Sequence, residues 1–130
     1  MPFEIQEDYM ASAVLIVEDE QNLASLLGDR LLDEGYQVRF AYTGAEALKQ
    51  LKEKGPDVIT LDIHLPDANG LALLKDLKAD PDMQKIPVII ISSSDEGEGA
   101  KKLGAEGFFR KPVDYKKLFE MLKVLKLNNP

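Results

Sequence analysis

The chain alternates short apolar runs with segments in which apolar residues recur at helical spacing. The apolar runs occupy residues 13–17, 38–41, 58–61 and 88–91, and a weaker run occupies residues 107–109. Between the runs, leucines and other apolar residues recur every three or four positions, as on the buried face of a helix. This alternation predicts right-handed βαβ units, and unbroken Val, Ile and Leu runs indicate a parallel sheet covered on both faces.

We therefore predict an α/β fold, a flavodoxin-like doubly wound sheet of five parallel strands in the order 2-1-3-4-5 with five helices. Residues 95–99 are acidic and rich in glycine, so we expect the fourth helix to be short or mobile and to begin near Gly99. One domain would span residues 12–126. Residues 1–11 would form an N-terminal extension and residues 127–130 a C-terminal tail.

Composition excludes several classes of protein. The 130 residues contain no cysteine, which excludes a disulfide scaffold, a thiol nucleophile and a cysteine-ligated zinc site. The apolar runs are far shorter than the roughly 20 residues of a membrane span. Acidic residues near the N-terminus argue against a secretory signal, so we expect a cytoplasmic protein that binds no membrane. The net charge of −7 argues against nucleic-acid binding.

Charged and polar residues follow four of the five predicted strands. Glu18 and Asp19 follow the first strand, Asp62 follows the third, and Ser92 and Lys111 follow the fourth and fifth. Because the carboxyl ends of parallel strands share one edge of the sheet, we expect these five side chains to lie close together.

The types of residue at this edge indicate a particular chemistry. The three carboxylates of Glu18, Asp19 and Asp62 would repel one another without a cation, and oxygen-rich sites of this kind suit Mg²⁺ or another hard divalent cation. Lys111 would supply a positive charge to an anionic group, and Ser92 a hydrogen-bond donor. A carboxylate can itself act as a nucleophile through an aspartyl phosphate. The residues therefore predict Mg²⁺-dependent phosphoryl transfer onto Asp62.

Four segments also resemble the receiver domain of two-component response regulators, of which the single-domain chemotaxis regulator is the simplest form. They are VLIVEDE at residues 14–20, PDVITLDIHLPDANG at residues 56–70, IPVIIISS at residues 86–93, and the stretch from Gly104-Ala105 to Lys111-Pro112. The resemblance covers about residues 12–126, so it implies that this segment is a receiver domain.

The resemblance implies a role for each acidic residue and for one backbone carbonyl. Asp62 would be the phosphoacceptor, and Asp19 and Asp62 would bind Mg²⁺ directly. Glu18 would assist through a water molecule, and the backbone carbonyl of His64 would be a further ligand. The phosphoryl donor would be a phosphohistidine on a histidine kinase or a histidine phosphotransfer protein.

The resemblance also implies a switch. Ser92 would contact the phosphoryl group, Lys111 would pair with it, and the peptide bond from Lys111 to Pro112 would be cis. Phe108 stands where the family has the aromatic residue that couples the site to the surface. Phosphorylation would change the face made by the fourth helix, fifth strand and fifth helix, through which the chain could also form a homodimer. Such a domain is a signalling phosphoacceptor with slow autodephosphorylation rather than an enzyme.

Three features differ from the common family pattern. The acidic pair is Glu18-Asp19 instead of Asp-Asp, and Phe108 lacks the hydroxyl of a tyrosine. The segment between Ser92 and Lys111 is about one helical turn shorter than in the chemotaxis type. In this respect it resembles receivers of hybrid kinases and multidomain signalling proteins.

Two alternatives remain open at this stage. One is a pseudo-receiver, a scaffold that binds partners through the same face without phosphorylation. The other is a free-standing flavin protein or aspartyl-phosphate hydrolase. The acidic residues after the first strand are unsuited to a flavin phosphate, and 130 residues leave no room for a hydrolase cap. The C-terminal segment 110–130 has six basic and two acidic residues and is a candidate partner-facing surface.

Overall fold

The sheet has the predicted order. The structure, a computed structural model, describes residues 12–128. Its strands form one five-stranded sheet in the order β2-β1-β3-β4-β5, with every neighbouring pair parallel. The strands are β1 (Ala13–Val17), β2 (Gln37–Ala41), β3 (Val58–Leu61), β4 (Val88–Ser92) and β5 (Gly107–Arg110). The predicted flavodoxin-like fold class is thereby confirmed.

The helix count differs from the prediction at one element. The α-helices of the described chain are α1 (Gln21–Asp33), α2 (Gly44–Glu53), α3 (Gly70–Ala79) and α4 (Tyr115–Asn128). The expected fourth α-helix is instead a 3-10 helix at Asp95–Leu103, and it begins at Asp95 rather than near Gly99. Ser94 explains the earlier start because its side chain accepts a hydrogen bond from the Glu96 amide at 2.9 Å. The glycines within the segment disfavour a regular α-helix.

The helices cover both faces of the sheet. On one face, α2, α3 and the 3-10 helix pack over alternate strand residues, including Leu15, Ile59 and Ile90. On the other face, α1 and α4 pack over the intervening residues, including Ile16 and Ile89. Strands buried on both faces favour apolar side chains at nearly every position, which explains the unbroken apolar runs at residues 13–17 and 88–91.

The limits of the domain were also predicted. The expected N-terminal extension at residues 1–11 lies outside the described residues. Helix α4 continues past residue 126 and ends at Asn128.

Within residues 12–128, no helix combines the length and the apolar character needed to cross a bilayer.

Candidate functional site

The register of the sheet brings the predicted acidic residues together. Val17, the last residue of β1, pairs with Leu61 at the end of β3. The residues that follow, Glu18 and Asp62, therefore leave the sheet side by side. The Asp62 amide donates to the carbonyl of Val17 at 3.0 Å, which extends this pairing by one step. The expected gathering of carboxylates at one edge is thus what the strand pairing produces.

Three carboxylates converge at this edge. One oxygen from each of Glu18, Asp19 and Asp62 lies within 4.8 Å of the others. Glu18 and Asp62 are both only 7% exposed, whereas Asp19 is exposed. Oxygen donors packed this closely suit a hard divalent cation, because such a cation offsets both their mutual repulsion and the cost of their burial. The residues present therefore fit a magnesium site.

Lys111 provides positive charge within the same cluster. Its Nζ atom lies 2.5 Å from Glu18 Oε1 and 3.1 Å from Asp62 Oδ2. The Lys111 amide donates to the carbonyl of Ser92 at 3.0 Å, which fixes the backbone directly after β5. The predicted cis peptide bond between Lys111 and Pro112 is present. The ammonium group therefore bridges a carboxylate that follows β1 and one that follows β3.

The pKa values of this pair reflect burial and charge. Burial raises the pKa of Glu18 above its usual value, and the negative charge of Asp62 raises it further. The hydrogen bond from Lys111 lowers this pKa, but not enough to cancel the rise. Burial lowers the pKa of Lys111, but the hydrogen bonds to Glu18 and Asp62 and the charges of these two carboxylates together raise it by more, so its pKa is higher than usual. The site therefore keeps Lys111 charged and carries an energetic cost for ionised Glu18.

The β3–α3 loop (residues 62–69) contacts the Asp62 carboxylate through its backbone. The His64 amide donates to Asp62 Oδ1 at 3.2 Å, and the Gly70 amide donates to the Ile63 carbonyl at 2.6 Å. A Cβ atom on Gly70 would lie only 2.2 Å from the carbonyl oxygen of Asp62. Glycine at position 70 therefore permits the close approach of α3 to the Asp62 backbone, and the His64 amide lies beside the acidic cluster.

The two predicted switch residues lie on neighbouring strands. Ser92 is fully buried at the end of β4, and its Oγ accepts a 3.4 Å hydrogen bond from the Ser94 amide. Phe108, on β5, is half-buried and packs against the core face that contains α2 and α3. Its ring lies on Gly97 of the 3-10 helix so closely that a Cβ atom there would be 2.2 Å from Cε1.

Two exposed side-chain contacts, of which the one made by Arg110 is an ion pair, join the 3-10 helix to the rim of the site. His64 Nε2 lies 3.5 Å from Glu96 Oε2, and Arg110 Nη1 lies 2.6 Å from Asp95 Oδ1. More than half of each side chain is accessible to solvent. No local pattern in the sequence indicates these contacts.

Asp67 is another functional candidate that the sequence did not reveal. Its carboxylate accepts hydrogen bonds from the amides of Gly44 at 2.7 Å and Ala45 at 3.0 Å, the first residues of α2. These bonds hold the pKa of Asp67 below its usual value. In the sequence, Asp67 is only an acidic residue within a predicted loop. Such a residue more commonly hydrogen-bonds to the backbone of its own turn than to a distant helix.

Comparison with known proteins identifies the architecture. The response regulator receiver domain family matches residues 14–123. The polar-differentiation response regulator DivK of Brucella ovis is 33% identical over 117 residues, which cover 88% of this chain and 95% of that protein. The signal receiver domain of a signal transduction histidine kinase from Syntrophus aciditrophicus is 34% identical with a TM-score of 0.83. That alignment covers 91% of this chain and 92% of the other.

A second solved structure agrees in fold. A putative response regulator from Chloroflexus aurantiacus J-10-fl superposes with a TM-score of 0.84 and 28% identity, covering 90% of this chain and 98% of the other. The family match extends over most of the chain and includes all five strands except the first residue of β1. The chain therefore belongs to the response regulator receiver domains of two-component signalling.

Proposed function

We propose that Asp62 accepts a phosphoryl group from a phosphohistidine, carried by a histidine kinase or a histidine phosphotransfer protein in the cytoplasm, with Mg²⁺. The observation that carries the proposal is the convergence of three carboxylates within 4.8 Å beside the ammonium of Lys111. A scaffold without phosphoryl chemistry has no need for two buried carboxylates, whose burial costs free energy.

Four residues would hold the cation. Asp19 and Asp62 would bind it directly, Glu18 through water, and His64 through its backbone carbonyl. When bound, Mg²⁺ supplies positive charge that neutralises the phosphoryl oxygens. The hydrogen bond from the His64 amide to Asp62 Oδ1 supports this arrangement, because it orients one carboxylate oxygen and leaves Oδ2 toward Lys111.

The transfer forms one bond and breaks one bond. A carboxylate oxygen of Asp62 attacks phosphorus as the bond from phosphorus to the histidine nitrogen breaks. The electron pair of that bond stays with the imidazole, which leaves as the neutral ring when its other nitrogen carries a proton. In slow autodephosphorylation, water attacks phosphorus, inorganic phosphate leaves, and the Asp62 carboxylate is restored.

Lys111 and Ser92 would respond to the new group. Lys111 contacts Asp62 Oδ2 at 3.1 Å, so its charge would face a phosphoryl group attached to that carboxylate. Ser92 would donate its hydroxyl hydrogen to a phosphoryl oxygen. Movement of the Ser92 loop and Phe108 would then change the face formed by the 3-10 helix, β5 and α4. That face would bind partners, including a second copy of the chain.

The test is incubation of the purified chain with acetyl phosphate and Mg²⁺, followed by mass spectrometry. We expect a gain of one phosphoryl group, its loss in Asp62→Asn, and its loss when EDTA removes the cation. Asp76→Asn is the matched control, because Asp76 is an exposed carboxylate on α3 away from the cluster. Absence of any gain in the unmodified chain would refute the proposal and favour the unphosphorylated scaffold.

A further inference from the structure

Asp67 joins the β3–α3 loop to the start of α2 at the edge of the sheet that carries the acidic cluster. Its two carboxylate oxygens accept from the first two amides of α2, at Gly44 and Ala45. These amides have no partner within their own helix, and the positive end of the helix dipole favours a carboxylate there. The contact spans 22 or 23 positions of sequence, so it is a tertiary connection between the start of α2 and the β3–α3 loop.

The approach of the two segments is close enough to require a small residue. A Cβ atom on Gly44 would lie 2.9 Å from the Cβ atom of Ala68, the neighbour of Asp67. Such a distance is below ordinary van der Waals contact, so a larger residue at position 44 would push the loop outward. The start of α2 and the tip of the β3–α3 loop therefore pack so closely that position 44 has no room for a side chain.

Hydrogen bonds within the loop connect its tip to the acceptor carboxylate. The Leu65 amide donates to the Ala68 carbonyl at 3.2 Å, and His64 forms an antiparallel bridge with Asn69. The His64 amide in turn donates to Asp62 Oδ1. A displacement at the tip therefore shifts the backbone of His64.

We propose that Asp67 is a positioning residue, which sets the place of the His64 backbone and thereby the affinity of the acidic cluster for Mg²⁺. This inference rests on the proposed function, because it takes the His64 carbonyl to be a metal ligand. Asp67 touches neither the cation nor the phosphoryl group. It acts through the loop, as residues that orient metal ligands do in other sites.

The test compares Asp67→Ala with Thr43→Ala by calorimetric titration with Mg²⁺ alone. Thr43 also caps α2, since its side chain accepts from the Glu46 amide at 3.0 Å, but its bond does not involve the β3–α3 loop. Both variants should lower the unfolding temperature, because each removes a helix cap. Only Asp67→Ala should weaken Mg²⁺ binding, by about 10-fold, and Asp67→Asn should restore part of it.

A second readout needs no metal. In the metal-free protein, the amide NMR signals of His64 and Asp62 should shift in Asp67→Ala and stay in place in Thr43→Ala. Equal Mg²⁺ affinity of Asp67→Ala and the unmodified chain, or equal weakening by Thr43→Ala, overturns the positioning role and leaves the proposed function standing. Failure of the unmodified chain to bind Mg²⁺ overturns both.

Discussion

The β3–α3 loop and the 3-10 helix border the same site and are held in opposite ways. The loop is fixed by backbone hydrogen bonds, by the Asp67 carboxylate, and by a glycine pressed against the Asp62 backbone. The 3-10 helix buries Ala100 in the core and packs Gly97 against the ring of Phe108, but among the described residues it meets the rim of the site only through two exposed contacts, the Arg110–Asp95 ion pair and the approach of Glu96 to His64. Exposed polar contacts contribute little free energy, so the first residues of this helix can leave the rim at lower cost than the loop can.

Gly70→Ala changes the β3–α3 loop, the more firmly held of the two segments, and should have the largest effect on stability. A methyl group would meet the Asp62 carbonyl oxygen at 2.2 Å, and these backbone atoms cannot move aside without distorting the chain at Asp62. We expect a loss of about 3 kcal/mol of unfolding free energy, measured by urea denaturation. The control is Gly99→Ala in the 3-10 helix, where a Cβ atom would have nothing within 4 Å. Equal losses in the two variants would contradict the difference between the segments.

Gly97→Ala tests the tight contact between the 3-10 helix and the Phe108 ring. Here the obstacle is the Phe108 ring, which can rotate or shift, so we expect a smaller loss of about 1–2 kcal/mol. The ring signals of Phe108 in NMR spectra should move at the same time. Unchanged ring signals would show that the 3-10 helix, and not the ring, gives way.

The sequence predicted the sheet better than it predicted the contacts between loops. Strand order and the gathering of Glu18 and Asp62 follow from short-range apolar patterns together with general rules for parallel sheets. The 3-10 helix was predicted as an α-helix with a later start, because acidic residues and glycines weaken the local signal. The bonds from Asp67 to α2 have no local pattern at all, since they depend on how two distant segments meet.

The pairing of Lys111 with Glu18 is intermediate between these cases. Both residues were predicted to lie at the same edge of the sheet. The 2.5 Å contact depends on the reach of the side chains, since a glutamate has one more methylene than the aspartate common at this position. Sequence patterns specify where the backbone carries a residue but not which partner a long side chain reaches.

Glu18→Gln tests the energetic cost of the fixed acidic cluster. The pKa of Glu18 is raised, so its ionised form is less favourable in the folded than in the unfolded chain. This cost is present above the folded-state pKa and disappears as the pH falls below the unfolded value. At neutral pH without metal, we therefore expect the variant to unfold at a temperature a few degrees higher than the unmodified chain.

Added Mg²⁺ should reverse that ranking. Binding to the native state stabilises the unmodified chain, whereas the variant has lost one carboxylate and gains less. Thermal unfolding with and without Mg²⁺ measures both differences. A lower unfolding temperature for metal-free Glu18→Gln would mean that the hydrogen bond from Lys111 outweighs the burial of the charge.

Arg110→Ala should have the smallest effect and is the sharpest test of how loosely the 3-10 helix is held. Its partner Asp95 is at the first position of that helix, and both side chains are mostly exposed. Exposed pairs contribute about 0.2–1 kcal/mol, and salt screens them. We expect a loss near the lower end of that range in dilute buffer, vanishing at high salt, with Lys101→Ala, an exposed residue of the same helix, as the control. A salt-independent loss as large as that of Gly97→Ala would mean that the helix is fixed as firmly as the β3–α3 loop. Any rearrangement of this segment would then have to break two firm contacts in its first turn, at Asp95 and Gly97.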